Sequence, residues 1–156
     1  MLRRLALVLL TGFLVLLAGP AAQAAPPTTT TNTAKGLVET FVDVVPTCEG
    51  GGPLYTITTT SNAIEHETVF DDGRVHATFT STGTFTATPL EDPSLPSYTG
   101  KFTTWGGFND NGSTVNGTFT FSVRGTGSDG STFANQNVEH FNQRPDGSVN
   151  EFFHCH

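Results

Sequence analysis

The most regular feature of the chain is an alternation of apolar and polar residues with a period of two. Between 115 and 125, Val, Gly and Phe alternate with Thr, Asn, Ser and Arg, and the stretch 75–88 alternates in the same way against Thr. This pattern is typical of strands with one buried and one solvated face, and β-branched Thr suits the solvated face of a pleated sheet. Because no stretch keeps the period of a helix, the sequence predicts an all-β fold.

Turn signals separate these alternating stretches. Asp72-Gly73, Asn111-Gly112, Asp129-Gly130 and Asp146-Gly147 each supply residues that tolerate the positive φ angles of tight hairpins. The pattern and the turns together predict strands at 37–46, 54–60, 63–70, 74–88, 97–105, 114–125, 132–143 and 148–155.

Long strands joined by hairpins around one apolar face predict an antiparallel up-and-down β-barrel of seven or eight strands. A β-sandwich is the alternative. The count falls to seven if 54–60 and 63–70 form one strand that is bent by a β-bulge at Ser61-Asn62.

The N-terminus has the order of a secretory signal peptide. Arg3 and Arg4 precede an apolar run from Leu5 to Leu17, and the small residues of Ala22-Gln23-Ala24 predict cleavage after Ala24. The run has about 13 residues, fewer than the roughly 20 that a membrane-spanning helix needs. We therefore expect a secreted, extracellular protein.

Three segments follow from this interpretation: a signal peptide at 1–24, a disordered Pro- and Thr-rich tail at 25–35, and a single domain at 36–156. Loss of the two signal-peptide arginines takes the net charge from −7 to −9. Such an acidic surface repels nucleic acid and anionic lipid. We therefore expect neither nucleic acid nor a membrane to be a partner of the mature chain.

The two cysteines, Cys48 and Cys155, lie about 107 residues apart in the predicted domain. An isolated pair in an exported protein predicts a disulfide. In an up-and-down sheet the two could meet only with an odd number of strands, which favours seven. The alternative is a metal site at His154, Cys155 and His156, but neighbours on a strand point to opposite faces. We expect no metal and no cofactor.

Hairpin registers assign residues to the two faces of the sheet. A four-residue turn at 71–74 pairs His66 with Phe79, and a two-residue loop at Asp129-Gly130 pairs His140 with Phe119. A last hairpin turning at Asp146-Gly147 pairs His140 with Phe153. These registers predict an inward-facing set of polar residues that consists of His66, Gln136, His140, Asn142 and Glu151.

This inward set leaves three functions open. The first is a module that binds a small, largely apolar ligand, oriented by those polar groups. The second is a cofactor-free isomerase or cyclase, with His140 or His66 as general acid or base and Glu151 positioning it. The third is a protein-interaction or inhibitor domain that uses an exposed patch of Phe133, Phe141 and Phe152. No sequence motif of an enzyme is present, so we expect binding rather than catalysis.

Seven short segments carry a family resemblance: Cys48, Tyr55-Thr56-Ile57, Glu65-His66-Glu67-Thr68, Asp72-Gly73-Arg74-Val75-His76, Gly125-Thr126-Gly127-Ser128-Asp129-Gly130, Glu139-His140 and Cys155. They resemble a family of small secreted bacterial proteins of uncharacterised function. The resemblance implies a calycin-like or allene-oxide-cyclase-like barrel with a Cys–Cys bridge, and it implies no activity. Lipocalins carry Gly-x-Trp on their first strand, whereas the single Trp here is Trp105, in mid-chain.

Overall fold

A computed structural model describes residues 25–45 and 51–156. The signal peptide predicted at 1–24 and Cys48 lie outside the described residues. The described chain forms seven strands: β1 (Thr28–Val44), β2 (Leu54–Val69), β3 (Val75–Pro89), β4 (Tyr98–Asp110), β5 (Val115–Gly127), β6 (Thr132–Gln143) and β7 (Val149–Cys155). Within that part of the chain, no helix is long and apolar enough to cross a membrane.

The seven strands form one antiparallel sheet in which each strand pairs with its neighbour in the chain, in the order β1 to β7. The predicted all-β, up-and-down architecture is confirmed, and the sandwich alternative is excluded because all seven strands belong to one sheet. The sheet curls, since β1 and β7 line the same concavity. Among the described residues no ladder joins these two edge strands, so the predicted closure into a complete barrel is not observed.

β1 begins at Thr28, earlier than residue 37, where the first strand was predicted to start. Residues 28–34, which were predicted to be part of a disordered tail, pair with the far half of β2. Hydroxyl contacts support this pairing: Thr29 and Thr68 share a hydrogen bond of 2.9 Å, and the Thr31 hydroxyl lies 2.8 Å from Nδ1 of His66. Thr-rich segments lack large apolar side chains, but cross-strand Thr pairs stabilise a ladder without them.

The predicted fusion of 54–60 with 63–70 is confirmed, because β2 is one continuous strand. The β-bulge, however, does not lie at Ser61-Asn62, where it was predicted. The β1–β2 register shifts between Ala34 and Leu37, whereas β2 keeps an unbroken register against β3. The bulge is therefore on β1, where Gly36 has a φ of 65° and donates its N–H to Oδ1 of Asn62 at 3.0 Å.

Three hairpin loops contain three residues, where the sequence had predicted two or four. In the β2–β3 loop, for example, the N–H of Phe70 donates to the carbonyl of Arg74 at 2.9 Å, and Gly73 has a φ of 84°. Such loops combine a type I turn with a left-handed glycine. The other two loops, β5–β6 and β6–β7, repeat this arrangement around Gly130 and Gly147.

A register error of one residue moves every side chain of a strand to the opposite face. The structure pairs Glu65 with Phe79, where His66 was predicted, and Glu139 with Phe119, where His140 was predicted. It also pairs Glu139 with Phe153. All three predicted hairpin registers were wrong by one residue.

The apolar core lies on the concave face of the curled sheet. Its buried members are Val45, Tyr55, Ile57, Phe85, Ala87 and Val123. Half-buried aromatic rings extend this cluster along β4, β5 and β6, with ring centroids 6.0 Å apart for Phe102 and Phe121 and 6.2 Å apart for Phe85 and Phe133. The convex face is mainly Thr.

Aspartates fix the hairpin loops. The Asp129 and Asp146 carboxylates each accept a hydroxyl hydrogen bond of 2.6 Å and a backbone N–H bond of 2.9 Å, from Ser131 and Ser148 respectively. These seryl hydrogen bonds, from the hydroxyl first and the N–H second, hold the pKa of both carboxyls below the usual range.

We expect these loop aspartates to make the fold sensitive to acid. A carboxyl whose pKa is lower in the folded state than in the unfolded state, where it is about 3.9, stabilises the fold above that value. The contribution disappears as the pH falls through the folded pKa. In urea denaturation, wild-type stability should fall more steeply between about pH 5 and pH 3 than that of an Asp129→Asn, Asp146→Asn double variant. Equal slopes would contradict this role.

Candidate functional site

A cleft of about 530 Å³ occupies the concave face of the sheet. Residues from all seven strands line it, so it exists only because the sheet curls. Its walls are mainly aromatic, with seven phenylalanines: Phe41, Phe85, Phe102, Phe119, Phe121, Phe133 and Phe153. This volume falls in the range of small-molecule sites.

Three carboxylates also line this cleft. Glu39 and Asp43 extend from β1, and Glu139 extends from β6 on the facing side, between Phe119 and Phe153 in the ladders. All three residues are exposed. Among the described residues that line the cleft there is no Lys, Arg or His, so the charge of that lining is purely negative.

The ladders separate charge between the two faces of the whole sheet. Seven carboxylate residues lie in the strands, and the registers place every one on the concave face: Glu39, Asp43, Glu65, Glu67, Asp110, Glu139 and Glu151. All five histidines and the strand cations Lys101 and Arg124 are on the convex face: His66, His76, His140, His154, His156, Lys101 and Arg124. The third strand cation, Lys35, lies in the β1 bulge, where no ladder pairing assigns it to a face. The cleft therefore lies at the acidic, aromatic side of a strongly polarised sheet.

The inward orientation predicted for His66 and His140 is wrong, because both lie on the convex face. The Thr118 hydroxyl lies 2.9 Å from Nδ1 of His140, as the Thr31 hydroxyl does from His66. Four strand spacings separate the two histidines, about 19 Å along the sheet at ~4.8 Å per spacing. The structure does not bring them together.

The other predicted residues divide between the faces. Gln136 and Asn142 lie on the convex face together with His140. Only Glu151 faces the concave side, where it is exposed. A shallow depression of about 490 Å³ on the β6–β7 hairpin is lined by His140, Asn142 and Glu151. Three of the five predicted residues are thus neighbours at the sheet edge, outside the cleft.

The exposed aromatic patch predicted on the outer surface is not formed. Phe133 and Phe141 are half-buried on the concave face, and Phe141 stacks on Phe119 with centroids 5.6 Å apart. Phe152 alone is on the convex face, where it is 60% exposed. The one-residue error in the predicted β5–β6 register accounts for this difference, because it moves Phe133 and Phe141 to the opposite face.

Glu39, Asp43 and Glu139 were not among the site residues predicted from the sequence. Glu39 and Asp43 share their face of β1 with Phe41. The signal for Glu139 was the three-residue loop motif, Asp-Gly followed by Ser or Arg, which sets the β2–β3, β5–β6 and β6–β7 registers. With those registers, the carboxylates fall in phase with the phenylalanines. In the part of the chain that the structure describes, no three His, Cys, Asp or Glu side chains lie close enough to hold a metal ion.

Comparison with known proteins gives no further identification. No protein-family model matches the chain, and no curated protein or solved structure matches it significantly.

Proposed function

We propose that this protein is an exported binding module that holds a small, largely apolar molecule bearing a positive charge in its concave cleft. The observation that carries the proposal is the cleft itself: about 530 Å³, aromatic walls, and charged lining residues that are carboxylates only. The predicted signal peptide supports the exported location.

Two physical effects favour such a ligand. Burial of its apolar part against phenylalanine rings contributes roughly 25 cal/mol per Å² of apolar surface removed from water. A cationic group gains a further attraction from aromatic ring faces and from Glu39, Asp43 and Glu139. An anionic ligand would be repelled by the same carboxylates.

The cleft favours binding over catalysis. The proposed acid–base histidines are on the opposite face of the sheet. Among the described residues that line the cleft there is no Ser, Cys, His or Lys, so that lining contains no Ser–His or Cys–His pair.

Three probes with the same ten-carbon chain test this proposal: one with a trimethylammonium head, one with a hydroxyl and one with a sulfate. Calorimetric titration below the micellar concentration should rank their affinities in that order. Preference for the sulfate probe, or no saturable binding of any probe, would contradict the proposal.

Glu139→Gln is expected to weaken binding of the trimethylammonium probe about three- to fivefold, because an exposed ion pair contributes up to about 1 kcal/mol. Binding of the hydroxyl probe should not change. Glu151→Gln is the matched control, since Glu151 is on the same face but does not line the cleft. An equal loss in both variants would indicate general electrostatics rather than a site.

A further inference from the structure

Two cations lie directly opposite each other on the convex face. The β4–β5 ladder pairs Lys101 with Arg124, and both residues are exposed. Like charges at directly opposed positions destabilise an antiparallel sheet. Across residues 25–45 and 51–156 the one ion pair joins Arg74 to Asp72, so no carboxylate neutralises Lys101 or Arg124. Folding alone gives no reason for this pairing.

Hydroxyl groups surround the two cations. Thr84 is paired with Lys101 across β3 and β4. The next cross-strand row on the same face consists of Thr82, Thr103 and Ser122. A depression of about 670 Å³ is lined by all of these residues and by both cations. Every one of these side chains is a hydrogen-bond donor.

The rest of the molecule makes this position unusual. Because every strand carboxylate is on the concave face, the convex surface around Lys101 and Arg124 carries no opposing strand charge. A compact anion placed between the two head groups would remove their mutual repulsion and accept hydrogen bonds from the hydroxyls. Guanidinium binds oxyanions with two parallel N–H bonds, and an ammonium group adds a point charge.

We propose that Lys101 and Arg124, with the hydroxyls of Thr82, Thr84, Thr103 and Ser122, form a binding site for a single oxyanion group, phosphate or sulfate. The six side chains of this site lie on the opposite face from the cleft and select the opposite charge, although Phe102 and Val123 border both the depression and the cleft.

Calorimetric titration of the purified protein at low ionic strength tests the site, with inorganic phosphate, inorganic sulfate and glycerol 1-phosphate as separate ligands. Lys101→Gln and Arg124→Gln should each weaken binding at least tenfold. Arg144→Gln removes a convex-side loop cation outside the depression, and it should change the affinity less than twofold.

A thermal readout separates ligand binding from a structural role. In chloride alone, Lys101→Gln should melt at the same temperature as wild type or higher, because the repulsion is relieved. Phosphate should raise the melting temperature of the wild type and of Arg144→Gln but not that of Lys101→Gln.

Each result of these titrations leads to a different conclusion about the Lys101–Arg124 site. Comparable binding of free phosphate and its ester supports a site for the group itself, and tighter binding of the ester supports a phosphorylated organic molecule as its source. Absence of saturable binding up to about 10 mM, well above the ~1 mM expected of a weak site, would overturn the proposal. Equal weakening in Arg144→Gln would also overturn it, because binding would then reflect net charge alone.

Discussion

Replacement of Phe85 by Ala should lower the free energy of unfolding by about 3–5 kcal/mol, the range seen for truncation of a buried aromatic side chain. Phe85 is 6% exposed. Its ring packs against Phe133 and over Gly100 and Gly125, where an added Cβ would come within 2.6 Å and 3.0 Å of the ring. Because glycines have no side chains that could move into the space, the cavity would remain.

Urea denaturation followed by circular dichroism measures this change. Phe152→Ala is the matched control, because Phe152 is 60% exposed on the convex face and should lose less than about 1 kcal/mol. Similar losses in the two variants would show that the concave face is not the core.

The second large effect concerns the predicted Cys48–Cys155 disulfide, which we retain as a proposal. No cysteine in the described residues is free. Closing a loop of about 107 residues stabilises a fold by up to ~4–5 kcal/mol in the chain-entropy treatment. Cys155→Ser should therefore lower the free energy of unfolding by several kcal/mol.

Non-additivity gives the sharper test of that disulfide. Cys48→Ser, Cys155→Ser and the double variant should be destabilised equally, because removal of either partner breaks the same bond. Reductant should destabilise the wild type to the same level and should leave the variants unchanged. Independent losses that add in the double variant would contradict the bond.

The sequence was sufficient for the architecture because the period-two pattern and the Asp-Gly turns are local signals. They predicted seven or eight strands in up-and-down order, and the fusion that forms β2 followed from the odd strand count that a Cys48–Cys155 bond would require. Residues 28–34 were missed, since Thr-rich segments do not show whether a partner strand is available. These residues form a strand because they pair with the distant half of β2.

Prediction of the candidate site required one further detail, the number of residues in each hairpin loop, because that number decides which side chains face the concave side. Gly73, Gly130 and Gly147 all have φ angles between 82° and 85°, and a three-residue loop places that glycine last. Reading the same motif as a two- or four-residue turn shifts His140 inward and Glu139 outward. The chemistry inferred for the interior then changes from histidine to carboxylate, although the fold is unchanged.

The bulge on β1 has a consequence for edge-to-edge contact between separate molecules. An edge strand of 17 residues whose outer row of backbone groups has no ladder partner among residues 25–45 and 51–156 is a template for edge-to-edge aggregation. The shift between Ala34 and Leu37 divides that edge into two shorter segments whose pairing registers differ. A straight strand from another molecule cannot match both segments at once, so the irregularity that accommodates Asn62 also limits self-association along the open edge.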